Sequence, residues 1–187
     1  MKTSKEFQVL FIQGGGEDGY QADQSMVASL KDSLGKHYQL HYPELRSDGS
    51  APDYGWTKQI AGLLSGIHDP LILVGHSFGA SMILKYLTQY KLSRIIEGIF
   101  LVATPFWSGE EDWVQGFKLR GDFARNLDNE VPMYFYHCAD DGVVSISHMH
   151  DYRKHLPHAS FRVVESGGHQ FNNNLTVVAE DIKSLFG

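Results

Sequence analysis

Apolar runs rich in β-branched residues recur along the chain at Phe7–Ile12, Tyr38–Tyr42, Leu71–Val74, Ile95–Ala103, Pro132–His137 and Phe161–Val164, each bounded by Gly, Pro, Asp or Ser. They predict six strands. The segments between them have helical length, and the last shows its period most openly. Leu175, Val178, Ala179, Ile182, Leu185 and Phe186 fall at i, i+3, i+4, i+7, i+10 and i+11, one face of a helix. Strands that alternate with helices imply βαβ crossovers. Near-continuous apolarity within each strand implies a sheet covered on both faces. The expected fold class is therefore α/β: three layers, α/β/α, around a six-stranded, mostly parallel sheet.

No repeat, low-complexity tract or Pro/Ser-rich linker interrupts this pattern, so residues 1–187 are expected to form a single domain. The longest break, Thr104 to Val131, holds Phe106, Trp107, Trp113 and Phe117 among acids and glycines. It is expected to be an irregular cap or flap with a short helix near Asp122–Leu127, and loops of such length are usually functional. At 187 residues, 42% apolar and 20% charged, the chain can bury a core without staples. A net charge of -6 disfavours nucleic acid and anionic membrane as partners. The single cysteine, Cys138, excludes an intrachain disulfide and a Cys-rich zinc site. No run reaches the 18 or more apolar residues of a membrane span, and the apolar segment within Met1–Gly16 is too short for a signal peptide. A cytoplasmic protein is expected.

Open parallel sheets bind ligands beyond the carboxyl ends of their strands, which directs attention to the residues after each run. After the third, Leu71–Val74 leads into Gly75-His76-Ser77-Phe78-Gly79 and then a helical stretch to Tyr90. This is G-x-S-x-G on a strand-to-helix turn, where a strained backbone raises the hydroxyl above the sheet and the flanking positions must lack a Cβ. The pentapeptide alone is a weak signal; its flanks discriminate. The plainer alternative is that the glycines serve a tight turn and Ser77 caps the helix.

A serine hydroxyl is too weakly acidic to be ionised, so a nucleophilic Ser77 needs an imidazole, and the imidazole needs a carboxylate to fix its tautomer. His169, in Glu165-Ser-Gly-Gly-His-Gln-Phe171, follows the last strand on a glycine-rich loop. Asp140 and Asp141, in His137-Cys-Ala-Asp-Asp-Gly-Val-Val144, follow the fifth. Serine, then acid, then histidine is the chain order of α/β-hydrolases. Asp-Asp-Gly is also ordinary turn chemistry, and one of the two aspartates is expected to serve only the turn.

Taken together, Gln13-Gly14-Gly15-Gly16 after the first strand, the Ser77 pentapeptide, Asp141-Gly142-Val143-Val144 and Gly168-His169 resemble the α/β-hydrolase superfamily over essentially the whole chain. The short length and the Gly-His-Gln-Phe-Asn ending are similar to compact serine hydrolases related to retinoblastoma-binding protein 9. The resemblance implies a minimal α/β-hydrolase fold without the two antiparallel strands that open larger members. It favours Asp141 over Asp140 as the acid, although Ser145 stands where that pattern usually has proline. It further implies hydrolysis of a small ester, thioester or amide by Ser77, Asp141 and His169, with no cofactor. Its oxyanion hole would use the backbone N–H groups of Phe78 and one of Gly14–Gly16, with Gly15 taken as the donor.

A rival reading takes Gly14-x-Gly16-x-x-Gly19 as a dinucleotide loop, with Glu44 as a ribose ligand, though Glu17 and Asp18 would then crowd the pyrophosphate with negative charge. A third keeps the fold for binding or interaction with little catalysis. His76, Phe106, Trp107 and Trp113 are expected to line a substrate pocket, with packing as the alternative role for each. His148-Met-His150 does not read as a metal site, because helical residues two apart face different directions.

Overall fold

Six strands pair in one sheet in the order β2-β1-β3-β4-β5-β6, and every pairing is parallel. They are β1 (Phe7–Ile12), β2 (Tyr38–His41), β3 (Leu71–His76), β4 (Ile96–Val102), β5 (Met133–Cys138) and β6 (Ser160–Val164). The computed structural model describes residues 6–68, 70–91 and 95–187, so the first five residues of the stretch weighed as a signal peptide lie outside the described residues. The parallel sheet is complete rather than partial. β3 also runs two residues further than its apolar run, through Gly75 and His76 to the serine itself.

Alternation within β1 shows how the strands serve two faces. Leu10 and Ile12 join the core beneath α2 (Trp56–Gly66) and α3 (Ser77–Gln89), whereas Val9 and Phe11 face α1 (Gly19–Leu34) and α6 (Thr176–Ser184). Each such side chain, fully buried, stabilises the fold by about 1.5–3 kcal/mol. α5 (Ser147–His155) adds Met149 and Tyr152 to the first core. The three expected layers are present.

The segment 104–131 contains one short helix that its sequence did not announce, α4 (Asp112–Gln115), and the anticipated second helix is a 3-10 turn at Phe123–Asn126. Gly116 holds this segment against the loop before α2: a Cβ there would lie 1.6 Å from the Pro52 carbonyl oxygen. Among the described residues, no helix is long and apolar enough to cross a membrane.

Register decides what meets at the sheet's carboxyl edge. Ile12 pairs with Gly75, His76 with Val102, and Cys138 with Val164. The loops after β1, β3, β5 and β6 therefore emerge side by side.

Candidate active site

Ser77 begins α3 with φ +51°, in the left-handed region where a side chain costs about 1–3 kcal/mol. Both flanking glycines are needed for space, not for unusual φ. A Cβ on Gly75 would come within 2.7 Å of the Ala80 Cα, and one on Gly79 within 2.1 Å of the Gln13 carbonyl oxygen. The elbow is thus compressed between its own helix and the end of β1. No side-chain hydrogen bond caps α3, and its N-cap residue is His76, so Ser77 does not have the capping role.

Instead Ser77 Oγ lies 3.0 Å from His169 Nε2, and His169 Nδ1 lies 2.8 Å from Asp141 Oδ2. A carboxylate only accepts, so Nδ1 carries the proton, leaving Nε2 free to accept from the Ser77 hydroxyl. The Asp141 carboxylate is buried and also accepts Val143 N–H at 2.8 Å and Val144 N–H at 2.9 Å on Oδ1. Burial pushes this carboxyl up, but the hydrogen bonds from His169, Val144 and Val143 together outweigh it and hold Asp141 below the usual aspartate value. For His169 burial wins: it draws the imidazole below its ordinary value more than the Asp141 hydrogen bond raises it, and the charge of neighbouring His76 acts in the same direction as burial.

The adjacent aspartates are sorted by their partners. Asp140, exposed, accepts Gly168 N–H at 2.8 Å and Gly167 N–H at 3.0 Å, so it ties down the loop that carries His169. Those donors hold its carboxyl below the usual value. It is therefore more than a turn residue. Cys138 is buried nearby; burial, with Asp140 and Asp141 adding to it, pushes its thiol up to about 11, so it remains protonated at neutral pH.

Ser77, Phe78, His169, Gly15 and Gly16 line one cavity of about 500 Å3. Phe78 N–H lies in the first turn of α3 and has no intrahelical acceptor. Of the three loop glycines, Gly14 is committed elsewhere, since its N–H donates to Asp23 Oδ2 at 2.7 Å. Gly15 lies against Phe78, and an added Cβ there would meet the Phe78 Cβ at 3.0 Å.

Trp107 and Trp113 reach this cavity, as expected, but His76 and Phe106 do not. His76 is buried on the Asp23 carboxylate, and Phe106 turns away to stack on His155 and meet Tyr152 edge-on. The remaining wall comes from Phe117, from Ser47 and Tyr54 in the loop before α2, and from Val143, Val144 and His148 after β5. Phe117 belongs to the aromatic group singled out in the sequence; for the others, spacing offered no signal beyond their position after strand ends. Trp107 is held by its indole N–H, which donates to Ser81 Oγ at 2.9 Å. Among the described residues, no Asp, Glu, Lys or Arg lines the cavity.

The dinucleotide reading fails on the same loop. The Gly14 N–H that a pyrophosphate would require already serves a buried carboxylate, and Glu44 is exposed beside Arg46. His148 accepts the Phe106 N–H at 2.8 Å, and among the described residues no group of three metal-ligating side chains assembles.

Asp23 escaped the sequence analysis. Its signal was there: in α1 it falls on the buried stripe Gly19, Asp23, Met26, Val27, Leu30 and Leu34, an acid at a core position.

Comparison with solved structures finds the same architecture at low identity. A lipase-esterase related protein from Clostridium acetobutylicum is 15% identical, with TM-score 0.68 over 98% of this chain and 96% of that one. An esterase from a Rhodococcus species is 16% identical, with TM-score 0.71 over 97% and 90%. The ydeN gene product of B. subtilis is 18% identical, with TM-score 0.69 over 97% and 98%. No curated protein matches the sequence. The model of the alpha/beta hydrolase family matches residues 9–136. That span runs from β1 through the Ser77 elbow to β5, well over half of the sequence, and the chain belongs to the alpha/beta hydrolase family.

Proposed function

We propose that the protein is a serine hydrolase that cleaves an uncharged ester, thioester or amide through an acyl-enzyme. One observation carries the reading: the continuous hydrogen-bonded line from Ser77 Oγ through His169 to Asp141, with spacings of 3.0 and 2.8 Å. Ser77 Oγ attacks the substrate carbonyl carbon while His169 Nε2 takes the hydroxyl proton. Asp141 holds the ring in the Nδ1–H tautomer and stabilises the imidazolium. The carbonyl oxygen, now an oxyanion, accepts from Phe78 N–H and Gly15 N–H, where loss of one donor raises the barrier by about 3–4 kcal/mol. Collapse breaks the bond to the leaving group, which departs with the proton from His169. Water then attacks the acyl carbon with His169 again as base, releasing the acid and restoring Ser77.

The cavity narrows the substrate class. Walls of Trp107, Trp113, Phe117 and Tyr54 without a charged side chain favour an apolar acyl or alcohol group, because an ionic one would be desolvated without a partner. In this reading residues 104–131 act as the cap of a single-domain enzyme. The Gly168-His169-Gln170-Phe171-Asn172 motif supports a place among compact serine hydrolases similar to retinoblastoma-binding protein 9.

The test is labelling by an alkyl fluorophosphonate together with turnover of p-nitrophenyl butyrate. Ser77 is expected to take the label, and Ser77→Ala to lose both label and about 10^6-fold in kcat while remaining folded. Undiminished turnover in Ser77→Ala would overturn the assignment.

A further inference from the structure

Behind the Ser77–His169 line lies a second histidine–aspartate pair that no step of the proposed reaction uses. Asp23 and His76 have side chains only 1% exposed. His76 Nδ1 is 2.9 Å from Asp23 Oδ2, and His76 Nε2 is 3.0 Å from the backbone carbonyl oxygen of His169. Asp23 Oδ2 also accepts the Gly14 N–H at 2.7 Å. The two imidazole rings stand 4.8 Å apart between centroids.

We propose that Asp23 and His76 are positioning residues for this site, joining the glycine loop after β1 to the loop after β6 so that His169 and Gly15 keep their places relative to Ser77. The inference rests on the proposed hydrolase reading for its catalytic consequence, but not for its chemistry. A carbonyl oxygen cannot donate, so His76 Nε2 must carry a proton. Nδ1 faces a carboxylate, and the two share one further proton. With it in place, both ring nitrogens of His76 and the bonded Asp23 oxygen are satisfied; without it, two acceptors would face each other in a water-free setting.

The connections have consequences because of what each end carries. His76 is the residue immediately before Ser77, and its ring grips the backbone of the residue that supplies the base. Asp23 grips Gly14, next to the proposed oxyanion donor. The end of β1 and the α1 that follows it are thus locked to the distant ends of β3 and β6 by a single ion-pair-like unit. Tight packing reinforces it: a Cβ on Gly14 would come within 3.1 Å of His76 Nδ1, and one on Gly19 within 2.3 Å of the Gly14 carbonyl oxygen. The charged and titratable groups that bear on His169 are Asp141 after β5, His76 at the end of β3 and Asp23 on α1, while Tyr42 beyond β2 faces Asp23.

Two measurements on the full chain test the proposal. In the wild-type protein with 15N-labelled histidine, His76 Nε2 is expected to carry a proton that is protected from exchange with water. A His76 Nε2 that lacks its proton, or whose proton exchanges as fast as that of an exposed imidazole, would overturn the assignment whatever the enzyme turns over. In steady-state hydrolysis of p-nitrophenyl butyrate, His76→Phe and Asp23→Leu are expected to lower kcat about 10- to 100-fold with little change in KM, because misplaced groups fail in the transition state. Asp23→Asn is expected to recover most of what Asp23→Leu loses, since its amide can accept from Gly14 N–H and donate to His76 Nδ1. Wild-type kcat in folded His76→Phe and Asp23→Leu would refute positioning. Failure of Ser77→Ala to lose turnover would strike the hydrolase reading and leave the proton assignment of His76 standing.

Discussion

The Asp141–His169 and Asp23–His76 pairs stand with their imidazole centroids only 4.8 Å apart, and their surroundings differ. Of Asp141–His169 only the histidine lines the cavity, its imidazole 14% exposed and its Nε2 turned to Ser77. Asp23–His76 is sealed, with Nε2 turned to a carbonyl. The same two side chains therefore have opposite capacities. A ring whose second nitrogen meets a hydroxyl can take up and return a proton; a ring whose second nitrogen meets a carbonyl can only hold one. What separates the proposed base from the proposed bracket is the partner of one nitrogen, and tertiary structure supplies that partner.

The sharpest way to break this contrast is to neutralise the exposed pair. Asp141→Asn is expected to lower kcat for p-nitrophenyl butyrate by about 10^4-fold, because the ring can settle in the wrong tautomer. The loss should far exceed that in Asp23→Asn. Equal losses in the two variants would erase the distinction.

Next in size is the pH dependence. In the proposed reaction acylation needs neutral His169, and burial has moved that ring below the ordinary imidazole value. kcat/KM should thus rise tenfold per pH unit on its acid limb, with a midpoint below the ordinary imidazole value. Stability follows with the same sign. His169 binds its proton less readily folded than unfolded, so its contribution is complete above the ordinary imidazole value and is lost as pH falls from there through the folded value. Asp141, also depressed, adds a second loss at lower pH, below the usual aspartate value. Chemical denaturation across the acid range measures both, and a stability that increased on acidification through the imidazole range would contradict them.

Asp140→Ala should have a smaller effect, about tenfold on kcat, by freeing the two glycine N–H groups that fix the His169 loop. A loss as large as that of Asp141→Asn would reverse the assignment of the adjacent acids. Smallest is Ser81→Ala, which removes the acceptor of the Trp107 indole N–H. At about 1 kcal/mol for a hydrogen bond, a few-fold rise in KM for butyrate is expected with kcat nearly intact, measurable against the acetate ester.

Much of this architecture could be read before folding. The two-faced apolarity of β1 and β3 forced a sheet covered by helices, and Gly-x-Ser-x-Gly at a strand end marked the elbow, because both patterns are local consequences of period and sterics. His169 and the acidic pair were singled out by the same rule, that ligands meet beyond strand ends, and the structure brings His169 and Asp141 into line with Ser77. Residue order could not say which aspartate faces the imidazole, since Asp140 and Asp141 are neighbours whose side chains diverge only once β6 brings Gly167 and Gly168 alongside. Nor could it separate Trp107 from Phe106, adjacent aromatics of which only Trp107 reaches the Ser77 cavity.

The sequence by itself determined the layers, the parallel sheet and the serine on its strained turn, all of which depend on residues within a few positions of one another. Tertiary structure alone decided that Gly14 is spent on Asp23, that Tyr54 and Val143 complete the wall, and that His76 lies beneath the site and not in it. Those outcomes depend on register between strands tens of residues apart, where each hydrogen-bonding group takes whichever partner the packing leaves within reach.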